Sequence, residues 1–292
     1  MLKVENVSKK YGDFQAVDNI SFRIDKGEIF GIVGPNGAGK TSIIKMIVGL
    51  IEPSEGEIWI SRYNIKTMGE KAKQLIGYLP EESPVYEDMT AMEYLDFFGE
   101  IYGIGRQEVR ERAEAILNDL NLKHLNRKLG EMSKGMRRKV AIARSLINNP
   151  ELLVYDEPTS GLDPITSNYV MEYIRNLKGE KTILLTTHNL YQAEKICDRI
   201  LILKDGRMVA LDRVDGIKQR FGGVKYTLRF RLGNLTGIHL PVESRNGCKV
   251  ALCSSVEEVN TLAREVVRRG GEILDIESHA PSLEEIFLTV VS

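Results

Sequence analysis

The chain has 292 residues, of which 42% are hydrophobic and 28% charged, with a formal net charge of −1. At roughly 150 residues per domain the length predicts about two domains, and the composition excludes a disordered or fibrous chain. A charge near zero gives no global field toward nucleic acid or an anionic membrane, and no stretch approaches the ~20 apolar residues of a membrane span.

The opening MLKVENVSKKYGDF reads as lacking a secretory signal. The first third reads as short strands and turns that lead into a strand-loop-helix unit. Residues 29–33 are a compact apolar run, the pattern of a strand buried on both faces, and residues 42–50 have the density of a buried helix. From about residue 86 to 149 the pattern is helical, with Val109, Ala113, Ile116, Leu117 and Leu120 recurring at three- and four-residue steps. Short apolar strands return at 152–155, 182–186 and 200–203, with a helical stretch between the first two. Alternating strand and helix predicts an α/β core around a parallel sheet, with residues 86–150 inserted as a helical subdomain.

The pattern changes near Phe221-Gly222-Gly223. Val224, Tyr226, Leu228, Phe230 and Leu232 alternate with Lys225, Thr227, Arg229 and Arg231, the period of a strand with one face in a core. Its basic outer face is read as solvated rather than as a nucleic-acid or lipid contact. Ser255-x-x-Glu258 opens an amphipathic helix (Val256, Val259, Leu262, Val266) that ends at Gly270-Gly271. Residues 273–276 read as a strand, and Ser282-x-x-Glu285 caps a last helix. The expected organisation is a first domain over 1–218 and a small β-β-α-β-α domain over 219–292. Cys197, Cys248 and Cys253 form no CxxC pair, and an odd count is a poor disulfide framework, so they are read as reduced, mostly buried thiols of a cytosolic protein.

Two motifs carry chemistry. Gly34-Pro35-Asn36-Gly37-Ala38-Gly39-Lys40-Thr41 fits G-x-x-x-x-G-K-[ST], after a predicted strand and before a predicted helix. Glycines let consecutive backbone N–H groups turn inward around a phosphate, and the helix N-terminus adds its positive end. Lys40 is expected on the β- and γ-phosphates of ATP and Thr41 on Mg²⁺, with Ser42 completing the nucleotide contacts. The second motif is Asp156-Glu157, which ends the strand at 152–155. At the carboxyl edge of the sheet, where α/β ligands bind, Asp156 can hold the Mg²⁺ shell, and Glu157 can orient and deprotonate the attacking water.

Taken with four further segments in order, residues 1 to about 215 resemble the ATP-binding-cassette family. Tyr11, in Lys10-Tyr11-Gly12, matches the aromatic that stacks on adenine. Ser133-Lys134-Gly135 falls where the signature sequence lies, ahead of a helix read over 137–148. Ser160-Gly161-Leu162-Asp163 matches the loop after the catalytic glutamate, and His188 matches the switch histidine. The resemblance implies that a partner subunit's Ser133, Gly135 and following helix complete the γ-phosphate site. ATP would then join two subunits, either two copies of this chain or this chain and a related ATPase, and hydrolysis would release them.

Two departures stand out. The signature, usually LSGGQ, reads Met132-Ser133-Lys134-Gly135-Met136, and Glu81 stands where the family usually has Gln, beside Mg²⁺ or water. These variants and the stretch from Pro281 to Leu288 resemble a drug-exporter-like branch, whose ATPase pairs with a separately encoded integral membrane permease. The implied location is cytoplasmic, peripheral on the inner face of the cell membrane, with no nucleic-acid partner. The second domain, beyond the last nucleotide motif, is expected to regulate or to stabilise the dimer. A DNA-repair or ribosomal cassette is the main rival. Residues 41–133 lack the sustained heptads of a repair member's coiled coil, and ribosomal members usually carry two cassettes. A small-molecule kinase should lack the signature, the Ser160 to Asp163 loop and His188.

Overall fold

The computed structural model describes residues 1–123, 125–222, 225–233, 242–245, 248–279 and 281–291; Gly223 and Val224, part of the strand expectation above, lie outside these. The chain forms two compact units, Met1–Leu211 and Asp212–Ser292.

The first unit opens with β1 (Leu2–Tyr11) and β2 (Phe14–Ile24), followed by β3 (Ile29–Val33), α1 (Lys40–Ile47), β4 (Glu55–Ile60), β5 (Tyr63–Asn64), α2 (Gly69–Gln74) and β6 (Ile76–Leu79). The helical block comprises α3 (Ala91–Ile101), α4 (Arg106–Asp119) and α5 (Lys134–Leu146). Then come β7 (Leu152–Asp156), α6 (Pro164–Asn176), β8 (Thr182–Thr187), α7 (Leu190–Ile196), β9 (Arg199–Lys204) and β10 (Arg207–Arg213).

Two sheets make the core of this unit. An antiparallel sheet has the order β2-β1-β4-β5, and a larger sheet runs β10-β9-β3-β8-β7-β6. In the larger sheet β3 pairs in parallel with β8 and β9, and β7 with β6 and β8. Every residue of β3, β7 and β8 is buried, as their continuous apolar runs require. One core joins both sheets through α1, with Val4, Ile24, Phe30, Ile44, Leu184 and Leu201 in contact. Burial of each such side chain stabilises the fold by roughly 1.5–3 kcal/mol.

Three local readings are corrected. The opening strands are not short: β1 and β2 span ten and eleven residues. Their two-residue period is broken by register shifts around Asn6 and Asn19, both at φ near 49°, so each long strand reads as fragments. The helix read over 137–148 begins earlier, at Lys134, because the Ser133 hydroxyl accepts from Met136 N at 3.2 Å and caps it. That cap outweighs the poor helix propensity of Gly135. Residues 87–88 form a turn, and α3 begins only where Thr90 and Glu93 make a reciprocal capping box.

The second unit holds α8 (Val214–Phe221), β11 (Lys225–Arg231), β12 (Val242–Arg245), β13 (Cys248–Cys253), α9 (Val256–Arg268), β14 (Glu272–His279) and α10 (Leu283–Val291). Its sheet has the order β12-β13-β11-β14, one strand more than the β-β-α-β-α reading. Helix α9 lays Val259, Leu262 and Val266 on Leu228, Phe230, Ala251 and Cys253. The outward arginines of β11 face acids on β14: Arg229 reaches Glu277 at 3.5 Å and Asp275 at 3.9 Å, and Arg231 reaches Glu272 at 3.3 Å. The charge of these two arginines is therefore compensated within their own sheet. Among the described residues no helix is long and apolar enough to cross a membrane.

Candidate functional site

The chain leaves the carboxyl edge of the parallel sheet at Val33, wraps through residues 34–39 and enters α1 at Lys40. Close approach demands the glycines here. A Cβ on Gly34 would overlap Leu203 O, and one on Gly39, at φ 102°, would overlap Ala16 O. Lys40 is 7% exposed, and its Nζ donates to Gly34 O at 2.8 Å and Pro35 O at 3.1 Å. Burial pushes its ammonium below the usual lysine value, and Glu157, Asp156 and Glu81 pull it back up. A buried cation under a wrapped backbone at a helix N-terminus is an anion cradle.

Opposite the cradle, β7 delivers two buried carboxylates. Asp156 accepts from Thr186 Oγ1 on β8 at 2.5 Å. Glu157 has φ 45°, a left-handed conformation that costs a non-glycine residue on the order of 1–3 kcal/mol. Its N–H donates to Thr186 O at 3.2 Å and to Thr186 Oγ1 at 3.1 Å, which holds it there. Its carboxylate stands between two cationic or polar groups: Oε1 lies 4.0 Å from Lys40 Nζ, and Oε2 lies 2.9 Å from Nδ1 of His188, just past β8.

Glu81 follows β6 and Pro80, and its Oε1 accepts from Ser160 Oγ at 3.1 Å. Tyr11 sits at the tip of β1, half exposed, with Lys9 Nζ 5.3 Å above its ring and its hydroxyl 3.5 Å from Ser42 Oγ. A cleft of about 610 Å³ runs from Tyr11 and Phe14 past Thr41 and Ser42 to Lys40, Glu157 and His188. Phe14 was not singled out from the sequence. It reaches the cleft because it pairs with Tyr11 across the β1–β2 turn.

Ser133, Gly135 and Asp163 lie outside this cleft. The Ser133 hydroxyl caps α5, and a Cβ on Gly135 would press on Thr166 of α6. Asp163 Oδ1 accepts from Ile165 N at 3.1 Å and Thr166 N at 3.0 Å, capping α6. Those bonds, above all the one with Thr166, hold its carboxyl below the usual range. The Lys134 ammonium rests against Gly161, so that charge lies on the loop following Glu157. A further site residue escaped the sequence reading. Arg138, buried, bonds backbone on both acid-bearing loops.

Among the described residues no group of three or more His, Cys, Asp or Glu forms a metal site. The Thr41 hydroxyl and the Asp156 carboxylate are hard oxygen donors. One or two such protein ligands suit Mg²⁺ when substrate phosphates and water complete its shell.

The ABC transporter family model matches residues 17–160. The linearmycin resistance ATP-binding protein LnrL of Bacillus subtilis is 35% identical over 315 residues, covering 99% of this chain and 98% of that protein. The daunorubicin resistance ATP-binding protein DrrA3 of Streptomyces coeruleorubidus is 32% identical over 299 residues, covering 97% of this chain and 94% of that protein. A solved ATP-binding cassette, a dimer in a post-hydrolysis state with ADP and Pi, is similar in fold at a TM-score of 0.67. It is 30% identical, with 73% of this chain and 99% of that one covered.

Proposed function

The chain belongs to the ABC transporter family as an ATP-binding, ATP-hydrolysing subunit that powers transport, and on that premise we propose how its residues work and that the transport is export. The observation that carries the reading is the convergence of Lys40, Glu157 and His188 on one cleft, within 4.0 Å and 2.9 Å of one another in sequence of contact. Tyr11 stacks on the adenine. Backbone N–H groups of residues 36–41 and the N-terminus of α1 hold the β- and γ-phosphates, whose oxygens replace Gly34 O and Pro35 O as acceptors for Lys40. Glu157 takes the proton of the attacking water, and His188 holds that carboxylate in place. Thr41 and Asp156 would hold Mg²⁺, with Glu81 beside it, and the ion would neutralise charge developing on the transferred phosphoryl group.

Ser133, Gly135, the N-terminus of α5 and Asp163 serve a second subunit, either a copy of this chain or a related ATPase. Their position outside the chain's own cleft supports that division, as does the dimeric state of the related cassette. The second unit regulates the dimer or stabilises it, since every residue of the cleft precedes it. LnrL and DrrA3 are resistance proteins matched along nearly all of this chain, which supports export.

The permease partner is a separate integral membrane protein on whose cytoplasmic side this chain docks. Tyr86, 54% exposed, packs edge-on against Phe97, 37% exposed, at 5.8 Å between ring centres. The chain on either side of Tyr86 lines a groove of about 480 Å³, with Pro84 and Val85 among its apolar residues and Glu82, Glu87 and Arg137 among its charged ones. Exposed aromatics next to a groove of mixed apolar and charged lining suit a docked helix. Tyr86→Asp should leave the hydrolysis rate of the purified chain unchanged and abolish its recovery with the permease. Undiminished recovery contradicts the groove.

A further inference from the structure

Arg138 lies on the first turns of α5, 6% exposed, and each of its three guanidinium nitrogens bonds one of two loops. Nη1 donates to Pro80 O at 2.7 Å, Glu81 O at 2.9 Å and Ser83 Oγ at 3.2 Å. Nη2 donates to Asp156 O at 3.2 Å and Glu157 O at 2.9 Å, and Nε to Pro158 O at 2.8 Å. Five of these six acceptors are backbone carbonyls at or next to Glu81 and Glu157.

The acceptors begin where the pairing of β6 with β7 stops. Strands β6 and β7 pair from Ile76↔Leu152 to Leu79↔Tyr155, and beyond that rung one chain turns to Glu81 and the other to Glu157. Two of these carbonyls also accept a local donor, Pro80 O from the Ser83 hydroxyl and Glu157 O from the Ser160 N–H, each at 3.0 Å. Arg138 alone among these donors serves both loops at once, a side chain taking the place of the next rung. Thr186 holds the Glu157 N–H from the β8 side, and Arg138 holds its carbonyl from the α5 side. Glu157 stays in its left-handed conformation between the two, as such a residue does only when its surroundings over-determine it. The charge is buried at some cost: burial pushes the guanidinium down to about 10, against the pull of Tyr155, Asp156 and Glu81. A planar fork with five donors can serve acceptors spread over two loops, whereas the three rotatable donors of an ammonium cannot hold the same geometry.

We propose that Arg138 is a positioning residue for ATP hydrolysis: by tying residues 80–83 to residues 156–158 it fixes the backbone of Glu157 relative to Glu81, and so aims the Glu157 carboxylate at the attacking water. This rests on Glu157 as the general base. The alternative is that Arg138 only stabilises the fold, and the two differ in what a substitution changes. Bound ATP contacts neither the guanidinium nor its acceptors in this account, so KM should stay near wild type while kcat falls. A displacement near 1 Å costs on the order of 10²-fold in rate.

The test measures kcat and KM for Mg-ATP, and single-turnover hydrolysis, in the full chain carrying Arg138→Lys, Arg138→Met, Glu157→Gln, and Glu157→Gln with each Arg138 change. The expected result is a kcat loss on the order of tenfold to a hundredfold for Arg138→Lys, with little change in KM or in ADP affinity. In the Glu157→Gln background the same Arg138 change should cost almost nothing, because there is no base left to aim. An equal loss in both backgrounds, an unchanged kcat, or failure of both single variants to fold would overturn the proposal. Full activity of Glu157→Gln alone would overturn the general-base assignment instead, and is told apart by that arm.

Discussion

At the scale of single residues, the site divides into what a linear motif can show and what only the fold can bring together. The cradle from Gly34 to Thr41 is legible because its eight residues are contiguous and their spacing follows from wrapping a backbone around phosphate. Asp156 and Glu157 are legible because they end an apolar run. His188 was placed by resemblance alone, and its 2.9 Å approach to Glu157 supplies the physical reason. Ser160, Phe14 and Arg138 left no readable signal as contacts. Arg138 sits in an Arg-Arg-Lys run, where nothing local marks the one side chain that turns inward. The residue-scale prediction concerns Lys40. Lys40→Ala removes the only lysine buried in the cleft's cradle among the described residues. Phosphate release by the purified chain should fall on the order of 10²–10³-fold or more, as when one group stabilising developing charge is removed. Chelation of Mg²⁺ should abolish release by the unmodified chain. A variant that releases phosphate at the wild-type rate would remove the cradle from the chemistry.

At the scale of elements, legibility follows burial. Strands β3, β7 and β8 are covered on both faces, so their apolar runs have a single reading. Strands β1 and β2 are bulged, and α5 starts at a cap followed by a glycine, so period and propensity both mislead there. The contact between α5 and β6 was not legible at all, yet it sets the position of Arg138. At Gly77, in the middle of β6, a Cβ would overlap the carbonyl oxygen of Ser145 on α5. Neither the strand nor the helix backbone can yield cheaply at that point. Gly77→Ala should therefore destabilise the first unit by about 1–3 kcal/mol, the usual cost of overpacking. In thermal unfolding this is a drop of roughly 2–4 °C per kcal/mol for a unit of this size. The hydrolysis rate should fall further than stability alone explains, because α5 shifts with Arg138 on it. An unchanged midpoint would show that the helix and strand are not in that contact.

At the scale of the whole molecule, two compact units, a parallel sheet and an inserted helical block were legible from periodicity and strand-helix alternation. The division at Leu211 and Asp212 falls earlier than the change of composition, because α8 buries Val214 and Ile217 and contacts α10 within the second unit. What composition cannot show is which surfaces meet another molecule. Ser133 and Gly135 lie off the cleft that holds Lys40 and Glu157, and in the proposed function a γ-phosphate bound by one chain meets them on a second chain. On that proposal the dimer would follow from where ATP is contacted, and its lifetime from hydrolysis. Glu157→Gln keeps the size of the side chain and loses the proton acceptor. It should slow hydrolysis by roughly 10²–10⁴-fold while leaving the groups that hold the nucleotide in place. The most direct measurement is the mass of Glu157→Gln on a sizing column with light scattering, with and without Mg-ATP. The account predicts a monomer without nucleotide, a dimer with Mg-ATP, and a monomer again when Ser133→Arg is added to the same chain. A Glu157→Gln protein that binds Mg-ATP and stays monomeric across a wide range of concentration would contradict it.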